Sequence, residues 1–97
     1  MKQPKIDKPF YIKGYKFILT CPGFPESYEI FKDNKNIGYL RLRWGKFKII
    51  IPDYRGIIID ELYPKGHGEF HDNERRYYLK ESLKKINWYY DIIKNWN

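Results

Sequence analysis

The chain has 97 residues and a formal charge of +7, from 19 Lys and Arg against 12 Asp and Glu. Apolar residues make up 42% and aromatics 20%, which is too much core material for a disordered tail and the right length for one domain. No apolar run is long enough for a bilayer span, and Met1-Lys2-Gln3-Pro4-Lys5 leads into no signal-peptide core, so a cytoplasmic protein is expected.

Residues 1–13 are basic, hold Pro4 and Pro9, and read as an N-terminal arm that orders only by docking. Residues 14–97 read as a single α+β domain. From Gly14 to Thr20 the pattern alternates, with Tyr15, Phe17 and Leu19 on one face. Cys21-Pro22-Gly23-Phe24-Pro25 is a loop, because two prolines do not serve a central ladder. Cys21 has no partner for an internal disulfide. Ser27–Lys32 is the second strand, Asp33-Asn34-Lys35-Asn36 is turn chemistry, and Ile37–Arg43 is the third strand. Trp44-Gly45 connects tightly to a fourth strand, Lys46–Ile51. Pro52–Gly56 turns again into a fifth, Ile57–Leu62. Connections this short demand antiparallel neighbours, hence a five-stranded antiparallel meander.

Tyr63–His71 reads as an irregular loop and Asp72 as an N-cap. A long C-terminal helix is predicted from about residue 73 to about residue 95, with Leu79, Leu83, Ile86, Tyr90 and Ile93 on the face that covers the sheet. At about 1.5 Å per residue this helix is roughly 35 Å long and outruns a typical strand. Its overhang carries Trp88, Tyr89, Ile92 and Trp96. Either the arm (Phe10, Tyr11, Ile12) folds back over this patch, or a second subunit covers it; a homodimer or higher homo-oligomer is the preferred expectation.

Two stretches carry candidate chemistry. In the third and fourth strands, alternation turns Leu40, Leu42, Phe47 and Ile49 inward and Tyr39, Arg41, Arg43, Lys46 and Lys48 outward. A two-residue turn at Trp44-Gly45 then opposes Arg43 to Lys46 and Arg41 to Lys48. Like charges face to face are unfavourable unless an anion sits between them. The plain reading is a solvated basic face, with Glu29 able to answer one cation; the functional reading is a phosphate site, with Tyr39 or Trp44 stacked on a base. The second stretch is Gly66-His67-Gly68, close before a helix start that carries Arg75 and Arg76. Glycine amides beside a helix N-terminus form an anion cradle, and two cations against the dipole call for a partner, either Glu69, Asp72 or Glu74 locally or a bound phosphate. His67, Glu69, His71 and Asp72 are also acid–base and metal-ligand types, but they lie in a glycine-broken loop, so neither a metal nor a cofactor is expected. A small nuclease using His67 or His71 is the enzymatic alternative.

Pro25-Glu26-Ser27-Tyr28, Gly38-Tyr39-Leu40-Arg41-Leu42-Arg43-Trp44-Gly45-Lys46-Phe47, Gly66-His67-Gly68-Glu69-Phe70 and Glu74-Arg75-Arg76-Tyr77-Tyr78-Leu79 together resemble a family of small phage and mobile-element proteins. The resemblance covers residues 25–79 and brings no activity with it. It implies a setting, a bacterial host cell, and a type of task, inhibition or sequestration aimed at host defence. The composition agrees with an AT-rich coding sequence, having 14 Ile and 14 Lys but no Ala and no Val. The leading expectation is therefore a non-enzymatic protein that sequesters a phosphate-bearing, nucleotide-type signal. Binding of nucleic acid, or of an acidic host protein, by the same basic face is the alternative.

Overall fold

The computed structural model describes residues 1–96, with side-chain surroundings given for residues 1–94. It is an α+β fold: β1 (Phe10–Ile12), β2 (Tyr15–Pro22), β3 (Glu26–Lys32), β4 (Lys35–Arg43), β5 (Lys46–Ile51), β6 (Ile57–Leu62) and α1 (Asp72–Trp96). The strands form one antiparallel meander in chain order. The helix packs along one face of that sheet, against β4, β5 and β6. Among the described residues no helix is long and apolar enough to cross a membrane.

Six strands form where five are expected, and the extra one lies inside the predicted arm. Lys13 and Gly14 both have positive φ (52° and 82°), so a two-residue turn folds β1 back on β2, pairing Ile12 with Tyr15. The same device recurs at Asp33-Asn34 and Trp44-Gly45, each with two left-handed residues. These are the turns whose twist matches that of antiparallel strands. Ile12 is buried in the core, and Phe10 stacks on Phe17 at 5.3 Å. The arm is thus the sheet's first edge and leaves the helix overhang uncovered.

Strand alternation sorts the side chains as the sequence predicts. Phe17, Leu19, Tyr28, Ile30, Leu40, Leu42, Phe47 and Ile49 point inward and meet Leu79, Leu83 and Ile86 of α1. Gly38 lies mid-strand because the helix comes closest there. A Cβ on it would stand 2.8 Å from the Ile86 Cδ1. Tyr90 ties the helix to the same spot, its hydroxyl donating to the Ile37 carbonyl at 2.9 Å. Ile93, expected on the covered face, is 46% exposed, because it lines an open hollow with Ile57 at the edge of the sheet.

Two inward positions carry charge. Glu26 and Arg75 are both fully buried, with the Arg75 Nε 2.8 Å from Glu26 Oε2. The guanidinium also donates to Asp72, to the Phe70 carbonyl and to the Met1 carbonyl. The Glu26 carboxylate further accepts from the Tyr28 hydroxyl (2.5 Å) and the Phe70 amide (2.9 Å). Burial, and then the adjacent Glu26 carboxylate, push the Tyr28 hydroxyl pKa up. Burial alone would lower that of Arg75, but its hydrogen bonds to Glu26 and Asp72 raise it.

Removing one partner of such a pair strands the other charge in the core. Arg75→Met is expected to cost about 3–5 kcal/mol, read as a lower urea midpoint. Adding Glu26→Leu to it removes the stranded carboxylate, so the double variant is expected to be more stable than Arg75→Met alone.

Candidate functional site

On the face of the sheet away from α1, β4 and β5 pair with the expected register, Arg41 opposite Lys48 and Arg43 opposite Lys46. Among the described residues no carboxylate comes within 4 Å of any of the four. The nearby acids are otherwise placed. Glu29 sits opposite Tyr39, and it is Ser27 that faces Arg41. Glu61, opposite Lys48 on β6, accepts from the Tyr63 hydroxyl at 2.6 Å. That bond raises the Tyr63 pKa.

The ribbon ends at Trp44, whose ring is 71% exposed and lies 5.6 Å from the Arg43 guanidinium. Its φ of 56° is a conformation that Asn or Gly adopts more readily. The 63–71 loop braces this tip, since the Gly45 amide donates to the His67 carbonyl at 2.6 Å. Beside the ribbon, on the same face, is a hollow of about 500 Å³ lined by residues including Ser27, Glu29, Asn36, Tyr39, Tyr54 and Arg55. The rings of Tyr39 and Tyr54 meet edge to face at 6.3 Å. The Asn36 Oδ1 is buried there with no hydrogen-bond partner among the described residues.

The second predicted stretch does not join this surface. Arg75 is inside the protein with its donors committed, so it cannot hold an external phosphate, and Arg76 is exposed on the helix side of the sheet. Its position four residues before Leu79 puts Arg75 on the apolar stripe. The glycine loop does bind an anion, but that anion is the chain's own. The Glu74 carboxylate accepts from the amides of Lys65, Gly66 and His71, at 2.9, 2.9 and 3.0 Å. Gly68 is buried, and its carbonyl accepts from the amides of Phe24 and Glu26. The helix cap is His71 rather than Asp72, since its carbonyl takes the amides of Glu74 and Arg75 and its amide binds Glu74. His67 and His71 are exposed, and among the described residues no three metal-ligating side chains come together.

Of the predicted subunit interface, Trp88 and Ile92 are exposed and Tyr89 is half-buried. The Trp96 side chain lies outside the described residues. The outward residues that sequence reasoning missed are Asn36 and Tyr54, which share the hollow with Tyr39 and with Glu29, expected beside the cations. Alternation marks Glu29 as outward, but only the strand registers bring it beside a tyrosine from the β5–β6 turn. Comparison with protein-family models, with curated proteins and with solved structures gives no match.

Burial works to raise the Glu74 pKa, but the three amides hold it below its ordinary value. A lowered carboxyl pKa stabilises the fold above the unfolded-state value, and the benefit is lost as pH falls through the folded one. Glu74→Gln is expected to cost about 1 kcal/mol near pH 7, discounted for partial exposure, and almost nothing near pH 2.5. Urea midpoints at the two pH values check this. An equal loss at both would assign the effect to shape and not to charge.

Proposed function

We propose that the outer face of β4 and β5 binds a phosphate-bearing polymer, most simply single-stranded nucleic acid, and that the protein acts by binding and not by catalysis. The observation that carries this reading is the register of four unpaired cations in two facing pairs on an open sheet surface. Among the described residues no carboxylate lies within 4 Å to relieve that repulsion, and a bound anion relieves it. Guanidinium forks suit phosphate oxygens, and the exposed Trp44 at the tip offers a ring for base stacking.

The openness of the surface favours a polymer over one enclosed nucleotide. Arg75 and the Gly66 amide, the groups expected to close a cradle, are committed internally. A ribbon across two strands matches phosphates that recur along a chain. The hollow beside Tyr39 then suits a base from that chain. The setting proposed with this reading is a bacterial host cell, with a small mobile-element protein competing for nucleic acid or sequestering it.

Fluorescence anisotropy with a labelled single-stranded oligonucleotide tests the reading across salt concentrations. Four phosphate contacts predict a slope of log K on log salt near −3, and Arg41→Ala with Arg43→Ala is expected to reduce it by roughly 1.4. Binding of mononucleotides or cyclic dinucleotides in titration calorimetry, with no oligonucleotide binding, would replace the polymer by a single nucleotide. No binding of either kind to folded protein rejects the reading.

Trp44→Asn separates stability from binding. Asn suits the left-handed turn, so the variant is expected to gain about 0.5 kcal/mol in urea. It also loses the stacking ring, and oligonucleotide affinity is expected to drop about tenfold.

A further inference from the structure

The two edges of the sheet are finished differently. The β1 edge is three residues long, with Lys8 and Pro9 before it and Lys13 after it. Short length, lysine and proline are the usual protections of an edge against pairing with another strand. The β6 edge has six residues, begins Ile57-Ile58-Ile59, and contains neither Lys nor Pro. Its one irregularity is a bulge, where Ile49 pairs with Asp60 but Ile50 pairs with Ile58. Among the described residues β6 pairs only with β5; the Glu61 amide is taken by the Asp60 carboxylate at 2.8 Å, and the isoleucine half of the strand is left to accept another strand.

Apolar surface collects along this edge. Ile57, Ile58, Tyr63, Tyr77, Trp88 and Ile93 are half of the twelve large apolar side chains exposed in the described residues. Two hollows join the strand to the helix. One of about 370 Å³ lies between Ile57 and Tyr89, Tyr90 and Ile93, and one of about 480 Å³ between Ile59 and Trp88, rimmed by Asp60, Glu81, Lys84 and Lys85. At roughly 100 Å² for each half-exposed side chain, the six offer on the order of 600 Å². A standard interface buries about 800 Å² per partner, and the edge backbone supplies much of the difference.

We propose that a second copy of this chain adds to β6, strand antiparallel to strand, making a two-fold dimer with one continuous twelve-stranded sheet. The apolar side chains select the antiparallel direction. Ile57 and Ile59 border the two hollows on the helix side, with Ile93 and Trp88 across from them. Two-fold antiparallel pairing brings these helix-side patches of the two copies together, whereas two-fold parallel pairing puts them on opposite faces of the sheet. A two-fold relation between antiparallel edge strands runs through the sheet, so both helices lie on one side and both basic ribbons on the other. The ribbons are then about four strand spacings apart, roughly 19 Å. The dimer does not depend on the nucleic-acid reading.

Light scattering on the whole chain at micromolar concentration tests the dimer, together with hydrogen exchange. The expected mass is twice 12.0 kDa, with slow exchange at the β6 amides. Ile58→Lys and Trp88→Glu alter exposed positions, and each is expected to return the mass to 12.0 kDa with unchanged circular dichroism. A wild-type mass of 12.0 kDa overturns the proposal. So does a dimer that Ile58→Lys leaves intact, or one whose β6 amides exchange as fast as those of a free edge.

Discussion

The fold depends on one buried ion pair. Glu26 lies on the inward face of β3 and Arg75 on the inward face of α1, and neither reaches water. Two charges taken out of solvent are costly unless every remaining donor and acceptor is matched. Here the matching comes from Tyr28, Phe70, Asp72 and Met1. These residues belong to different parts of the chain, so satisfying the pair places the arm, the loop and the start of the helix together. An apolar pair could slide or rotate with little change in energy, whereas a guanidinium fork on a carboxylate holds α1 in one rotation against the sheet.

Backbone alternation made most of the sheet readable in advance, because side chains on a strand change face at every residue. That rule alone placed Arg41 against Lys48 and Arg43 against Lys46, once Trp44-Gly45 was taken as a two-residue turn. It was less useful where charge and position disagree. Glu26 keeps step with Tyr28 and Ile30, and Arg75 with Leu79 and Leu83, so both stand at core positions. Read by residue type they belong on the surface. An opposite pair at two inward positions was the available signal, but only the packing of α1 on the sheet brings the two together. β1 was hidden for a simpler reason: three residues between a proline and a lysine are too few to show a period.

The anion logic of the glycine loop was sound in kind and wrong in source. Amides at a helix start attract negative charge, and a carboxylate three residues into the helix reaches them at lower entropic cost than a free ligand does. Glu74 fills that role, so the 63–71 loop is structural and braces the hairpin tip through His67. The outer ribbon is different because the acids near it do not pair with it, Glu61 being directed toward Tyr63 and Glu29 standing opposite Tyr39. The two faces of the sheet thus divide the work, with charge neutralised inside and left open outside.

Gly38 gives this division a mechanical side. The helix rests on β4 where a side chain is missing, and Tyr90 fastens it to the neighbouring residue. Past that point the last turns project as a cantilever, with Gly38 and Ile86 as its fulcrum. A methyl group at Gly38 acts at the short arm of this lever, so a small lift under Ile86 becomes a larger sweep at the helix end. Strand β4 also carries Arg41 and Arg43 a few residues further on. One strand therefore sets both the tilt of the helix on one side and the spacing of the cations on the other.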